Sequence, residues 1–143
     1  ALRIARQIAA SAKQHGIDPA DDEGEQMKVV GHLNLGACKS CQGEAQDAID
    51  HFEGALRLAR VLGNSEFESQ ALGNLSREYA ELGRLEEAKK YAAEDLAICQ
   101  RLDRREWHAV ALCNLGNLLH KDNRFAQALE YFERYAQVAR GLR

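Results

Sequence analysis

The chain has almost no proline: Pro19 is the single one in 143 residues. Proline removes a backbone donor and collides with the preceding helical turn, so its scarcity leaves long stretches free to run as helix. Aromatic residues are also few, 6% of the chain. That excludes a core built on large rings and favours closely spaced helices rich in Ala and Leu. No run of about eighteen apolar residues occurs, so no membrane-crossing helix is expected. The net charge is only −3. With no basic excess there is no electrostatic pull toward nucleic acid or an anionic membrane, and neither is expected as a partner. The four cysteines, Cys38, Cys41, Cys99 and Cys113, follow no disulfide framework, which points to a reducing, cytoplasmic setting. Catalytic signatures are missing too: there is no His-Glu-x-x-His, Gly-x-Ser-x-Gly or phosphate-loop pattern. No catalytic residue, cofactor or metal ligand is assigned, and the chain is not expected to be an enzyme.

What the chain does have is a period. Leu112-Cys113-Asn114-Leu115-Gly116-Asn117 is preceded forty residues earlier by Leu72-Gly73-Asn74-Leu75-Ser76, and forty earlier again by His32-Leu33-Asn34-Leu35-Gly36. A fixed spacing of this size marks an array of stacked repeats. Apolar spacing within each repeat gives two helices. They are expected over 25–41 and 44–63, over 65–81 and 84–103, and over 105–121 and 124–142. Gly43, Gly83 and Asn123 stand at the joints, where a left-handed residue ends a helix. Ser65 with Glu68, and Asp103 with Glu106, have the spacing of capping boxes. Leu35, Leu75 and Leu115 are each followed by a small residue, and Ala48, Ala88 and Ala128 supply a matching small contact on the second helix. Phe52 and Phe132 agree, with Ala92 between them. Cys38 and Cys41 are read as packing cysteines, and His32 as a satisfied, half-buried histidine.

Upstream, residues 1–15 read as a further helix, and 16–24 as a loop around Pro19. Asp18, Asp21, Asp22, Glu23 and Glu25 lack the spacing of a calcium-binding loop and read as solvated. The plan is a partial repeat plus acidic loop over 1–24, then repeats over 25–64, 65–104 and 105–143, together one domain. The chain opens without Met and inside a helical pattern, and reads as a segment of a longer protein.

This pattern resembles the tetratricopeptide repeat family. It can be followed through His32, Leu35, Gly36, Ala48, Phe52 and Ala55, then Leu72, Leu75, Ser76, Tyr79, Ala88 and Ala92, then Leu112, Leu115, Gly116, Ala128 and Phe132. The forty-residue form, with Asn before Leu-Gly, is similar to the repeats of kinesin light chain and of Leu-Gly-Asn adaptors. The resemblance implies an all-α fold: an α-solenoid of antiparallel helix pairs, about three and a half repeats and seven helices, wound into a right-handed superhelix. It also implies a protein-interaction module that holds a peptide or helix of a partner protein in a concave groove lined by the first helices. The groove candidates are Asn34, Asn74, Arg77, Asn114, Asn117, His120 and Lys121. An Asn side chain donates and accepts at once, which suits it to a peptide backbone. Two alternatives stay open for the Asn ladder and the array. The Asn residues serve only to bond neighbouring helices, or the array acts as a self-associating scaffold through its end helices, forming a homo-oligomer. A regulatory segment of a larger signalling protein is a third reading.

Overall fold

The computed structural model describes residues 22–141, together with Arg3, Arg6, Gln7, Ala10, Gln14 and Gly16. Six helices are counted among the described residues: α1 (Asp22–Cys41), α2 (Ala45–Leu62), α3 (Ser65–Glu81), α4 (Leu85–Arg101), α5 (Arg105–Lys121) and α6 (Phe125–Arg140). Seven helices are expected; the first of them, over 1–15, lies outside the described residues apart from five helical positions, and the other six are those named. The expected loop over 16–24 is corrected at its end, because Asp22, Glu23 and Gly24 form the first turn of α1. Acidic side chains there face the positive end of the helix dipole, which stabilises helix over loop. Glu25 is also not solvated. It is 1% exposed, and Lys28 Nζ reaches its Oε1 at 2.8 Å. No helix among the described residues is long and apolar enough to cross a membrane.

The joints have a chemical cause. Gly43, Gly83 and Asn123, forty apart, take positive φ after α1, α3 and α5. A second ladder, Gly63 and Asp103, does the same after α2 and α4. Asn and Asp tolerate this left-handed conformation better than other residues with a side chain. Asp103 therefore ends a helix instead of opening one, and the capping box expected from Asp103 and Glu106 is not formed: Arg104 is the N-cap of α5 and makes no side-chain cap bond. At α3 the cap falls one residue before Ser65. Asn64 Oδ1 accepts the backbone N–H of Phe67 at 3.1 Å, satisfying one of the donors that a helix start leaves open.

The chain divides into two compact units, Ala1–Ala71 and Leu72–Arg143, with the division inside α3. In the first unit α1 packs on α2 through Val29, Leu33, Ile49, Phe52, Leu56 and Leu58, all buried. The small residue of the repeat lets the helices close. A Cβ on Gly36 would stand 2.5 Å from the ring of Phe52. In the second unit a Cβ on Gly116 would stand 2.6 Å from the ring of Phe132. The middle repeat solves the same problem differently. Ala92 replaces the ring, Ser76 replaces the glycine, and Ser76 Oγ donates to the Ala88 carbonyl at 2.9 Å. A smaller group on one helix is matched by a larger one on the other, which keeps the interior close-packed.

Position in the array decides what the pattern buries. Leu115, with α4 before it, is 5% exposed, whereas Leu35 on α1 is 51% exposed. The expected packing role of Leu35 is therefore corrected, since half of its surface is exposed. Cys38 is exposed as well, although its counterparts Glu78 and Leu118 are buried. Cys41 is exposed too. Neither is the packing cysteine expected, while Cys99 is buried. At the other end, α6 buries only Ala128 and leaves Phe125, Leu129 and Tyr135 exposed.

Replacing Gly36 by Ala should lower the unfolding free energy by about 1–3 kcal/mol, because the new methyl overpacks against Phe52. The same change at Gly31, where a Cβ would meet nothing within 4 Å, should raise it by roughly 0.5–1 kcal/mol through helix propensity. Urea denaturation of the two variants against the parent chain measures both.

Candidate functional site

Burial of one side of α3 and α5 leaves the other side to polar residues. On α5 the core side carries Ala109, Ala111, Leu112, Leu115, Gly116, Leu118 and Leu119. That leaves Val110, Asn117 and Lys121 exposed and Asn114 half-buried. These positions are three or four apart and share one helix face. On α3, forty residues earlier, the corresponding face within the second unit carries half-buried Asn74 and exposed Arg77 and Glu81.

The polar side chains engage one another. Arg77 Nη2 donates to Asn74 Oδ1 at 3.1 Å, and Arg77 Nε lies 3.6 Å from the carboxylate of Glu78. Lys121 Nζ on α5 lies 3.8 Å from Glu81 Oε1 on α3, so the two faces adjoin. Asn117 Nδ2 points to Cys113 Sγ at 3.7 Å. His120 is exposed, with its ring edge-on to Phe125 at 5.4 Å between centroids. Asn34 is exposed on α1 of the first unit. Six of the seven candidates, Asn74, Arg77, Asn114, Asn117, His120 and Lys121, belong to the second unit, where Arg77 engages Asn74 and Lys121 approaches Glu81.

Sequence reasoning missed Glu78. It is 3% exposed and sits beneath Arg77. The signal was available, since Glu78 stands at the position of apolar Leu118 one repeat later. Its carboxylate and that of Glu81 lie beside the site's two cations, so the face presents hydrogen-bonding groups of both kinds without a concentrated positive charge. Among the described residues no group of three or more His, Cys, Asp or Glu side chains is placed to hold a metal ion.

Behind this face an ionic junction fixes the turn between α5 and α6. Lys89 Nζ on α4 lies 2.6 Å from Glu86 Oε1 and 2.8 Å from Asp122 Oδ2. Arg124 Nε lies 2.9 Å from the same Asp122 oxygen. The hydrogen bond from Lys89 holds the Asp122 carboxyl below its ordinary value of 3.8 and raises the Lys89 ammonium. Two histidines titrate low. Burial, then the charges of His51 and Arg57, lowers His32; burial, then Arg134, lowers His108.

A tetratricopeptide repeat signature matches residues 30–100 and 79–141. The chain belongs to the tetratricopeptide repeat family, whose folds generally mediate protein–protein interactions. Among solved structures it is similar to the TPR domain of Arabidopsis FLU, with a TM-score of 0.76 and 20% identity over 82% of this chain and 98% of that one. It is also similar to the N-terminal domain of stress-induced protein-1 (STI-1) from C. elegans, with a TM-score of 0.68 and 19% identity over 80% of this chain and 86% of that one. At such identities the likeness speaks for the fold alone. Response regulator aspartate phosphatase A of Bacillus subtilis (strain 168) is 30% identical over 93 residues, which are 65% of this chain and 24% of that protein. The match spans about a quarter of the length of that relative.

The Asp122 junction makes a pH prediction. A carboxyl whose folded pKa is depressed contributes stability that is complete above its unfolded value and is lost as pH falls through the folded one. Asp122→Asn should therefore lower the melting temperature at neutral pH. Its difference from the parent chain should shrink toward zero as pH falls below 3.8. Thermal melts of both proteins across that range measure it.

Proposed function

We propose that the chain is a protein-interaction module whose α3–α5 face takes an extended segment or a helix of a partner protein. The carrying observation is the recurrence of Asn74 and Asn114 at one position of two adjoining helices, each half-buried beside exposed polar neighbours. A primary amide donates and accepts together, so a pair of them matches the N–H and C=O groups of a peptide backbone. Arg77 and Lys121 lie beside carboxylates of this same chain, so recognition relies on hydrogen bonding and shape, with little selection for acidic ends. Val110, 57% exposed on α5, offers an apolar contact on the same face. No chemistry is performed in this reading. Four free thiols suit a reducing, cytoplasmic setting.

The second reading is a regulatory segment of a larger signalling protein, favoured by the likeness to response regulator aspartate phosphatase A. It uses the same face and differs in the partner, which would then be a signalling protein. Retention of a response regulator by the immobilised chain would support this reading, and failure to retain one would leave peptide capture standing alone.

The double variant Asn74→Ala with Asn114→Ala tests the face itself. Two lost hydrogen bonds, each worth about 1 kcal/mol, should weaken binding of peptides selected on the parent chain by roughly tenfold or more. Helicity and melting temperature should stay close to those of the parent. Unchanged affinity in the folded double variant would show that the Asn ladder serves packing only.

A further inference from the structure

Three positions of the first unit depart together from the forty-residue pattern. Position 32 is His where the later repeats have Leu72 and Leu112. Position 51 is His where they have Tyr91 and Tyr131. Position 54 is Gly where they have Glu94 and Arg134. Leu72 and Leu112 are both 0% exposed, so a histidine at position 32 gives up apolar packing at the middle of a helix pair. The three positions meet in space. His32 Nδ1 on α1 lies 3.3 Å from His51 Nδ1 on α2, with ring centroids 5.6 Å apart and planes tilted by 42°. Gly54 backs onto the His32 ring, and a Cβ there would come within 3.3 Å of its Cε1 and Nδ1.

Leucine carries no titratable group, and tyrosine stays neutral well above neutral pH. Histidine changes charge within the physiological range. Two imidazoles that face each other through Nδ1 hold together only while one of those nitrogens keeps its lone pair. With both rings neutral, one Nδ1–H donates to the other Nδ1. A first added proton enters at the donor ring's Nε2 and leaves that bond in place. A second fills the accepting nitrogen, and two N–H donors of like charge then oppose each other. We propose that His32 and His51 form an acid-released clasp between α1 and α2, closed while one imidazole is neutral and opened when both are protonated.

The surroundings favour release. Charged groups lining the hollow beside the His32 ring include Glu25 and Lys28 from α1 and Arg57 from α2. Lys28 Nζ lies 2.8 Å from Glu25 Oε1, which offsets the pull of that carboxylate on an imidazolium. Arg57 adds a like charge. Asp47, one turn before His51 on α2, lies 4.0 Å from Lys39 Nζ and is offset in the same way. Burial, then the charges of His51 and Arg57, holds His32 below its ordinary value of 6.5. Stability from a group lowered in this way is complete above the ordinary value and is lost as pH falls through the folded one. Release therefore falls on the acid side of 6.5. It acts on the helix pair of the first unit, so the inference is independent of the peptide-binding reading on the second.

The test compares the whole chain with His32→Leu and His51→Tyr between about pH 8 and about pH 5, the range in which histidine changes charge. Each variant restores the residue of the later repeats, so each should keep its helicity. On acidification the melting temperature of the parent should fall further than that of either variant, because the carboxylates and the other histidines are common to all three. Hydrogen exchange localises the effect: protection of the α1 amides should drop in the parent and hold in His32→Leu. Proton NMR of the parent needs no variant. The two rings should titrate in coupled steps, with His32 below 6.5, and His51→Tyr should move the His32 midpoint upward. Equal pH dependence of melting in the parent and both variants would overturn the proposal. So would independent titration of the two rings, or a loss of α1 protection as large in His32→Leu as in the parent.

Discussion

A helix of this fold buries its apolar side against its partner helix, and the contact that lets the two close is a small residue on one against a larger group on the other. Gly36 lies against Phe52 and Gly116 against Phe132; Ser76 takes the glycine's place where Ala92 takes the ring's. These three solutions fill the contact within a helix pair with different side chains. Once that contact is set, the side of each helix that must be apolar follows, and so does the side left for other uses. The end helix α6 shows the constraint by default. It has the same amphipathic pattern as α2, yet it buries one residue where α2 buries eight. In repeat arrays stability is a sum over neighbours, and an end element lacks one term of the sum.

The candidate face inherits its character from this division of labour. Leu112, Leu115 and Leu118 lie on the buried side of α5, while Asn117 and Lys121 are exposed and Asn114 is half-buried. Arg77 leans on Asn74 and Glu78, and Lys121 on Glu81, at distances typical of weak, solvent-screened pairs. Of these contacts, the one from Arg77 engages the Asn74 amide. In the proposed reading the face recognises through the direction of hydrogen bonds and through shape, as suits a fold that hosts many functions.

Much of this was legible in the sequence because a period carries structure from one repeat to the next. The helices from α3 onward begin and end within two residues of where spacing puts them, and Gly43, Gly83 and Asn123 mark their joints. A period reports which side of a helix seeks a neighbour, however, and says nothing of whether the neighbour is there. Leu35 and Cys38 keep the repeat's spacing and are exposed all the same. Asp103 was misread because an acid before a helix serves equally as an N-cap or as the left-handed end of the previous helix, and only backbone φ distinguishes the two. The buried state of Glu25 and Glu78 depends on the fold around them, as does the meeting of His32 with His51, nineteen residues apart. The forty-residue register marked each histidine as a departure, but it gave no sign that the two face each other.

Native-state hydrogen exchange measures the central claim directly, because it reads the free energy of opening helix by helix. If burial is lent by neighbours, the amides of α5, which has a helix on either side in the second unit, should exchange only through its most costly openings. Those of α6 should exchange through smaller openings at distinctly lower free energy. Protection of α6 equal to that of α5 in the isolated chain would contradict the account.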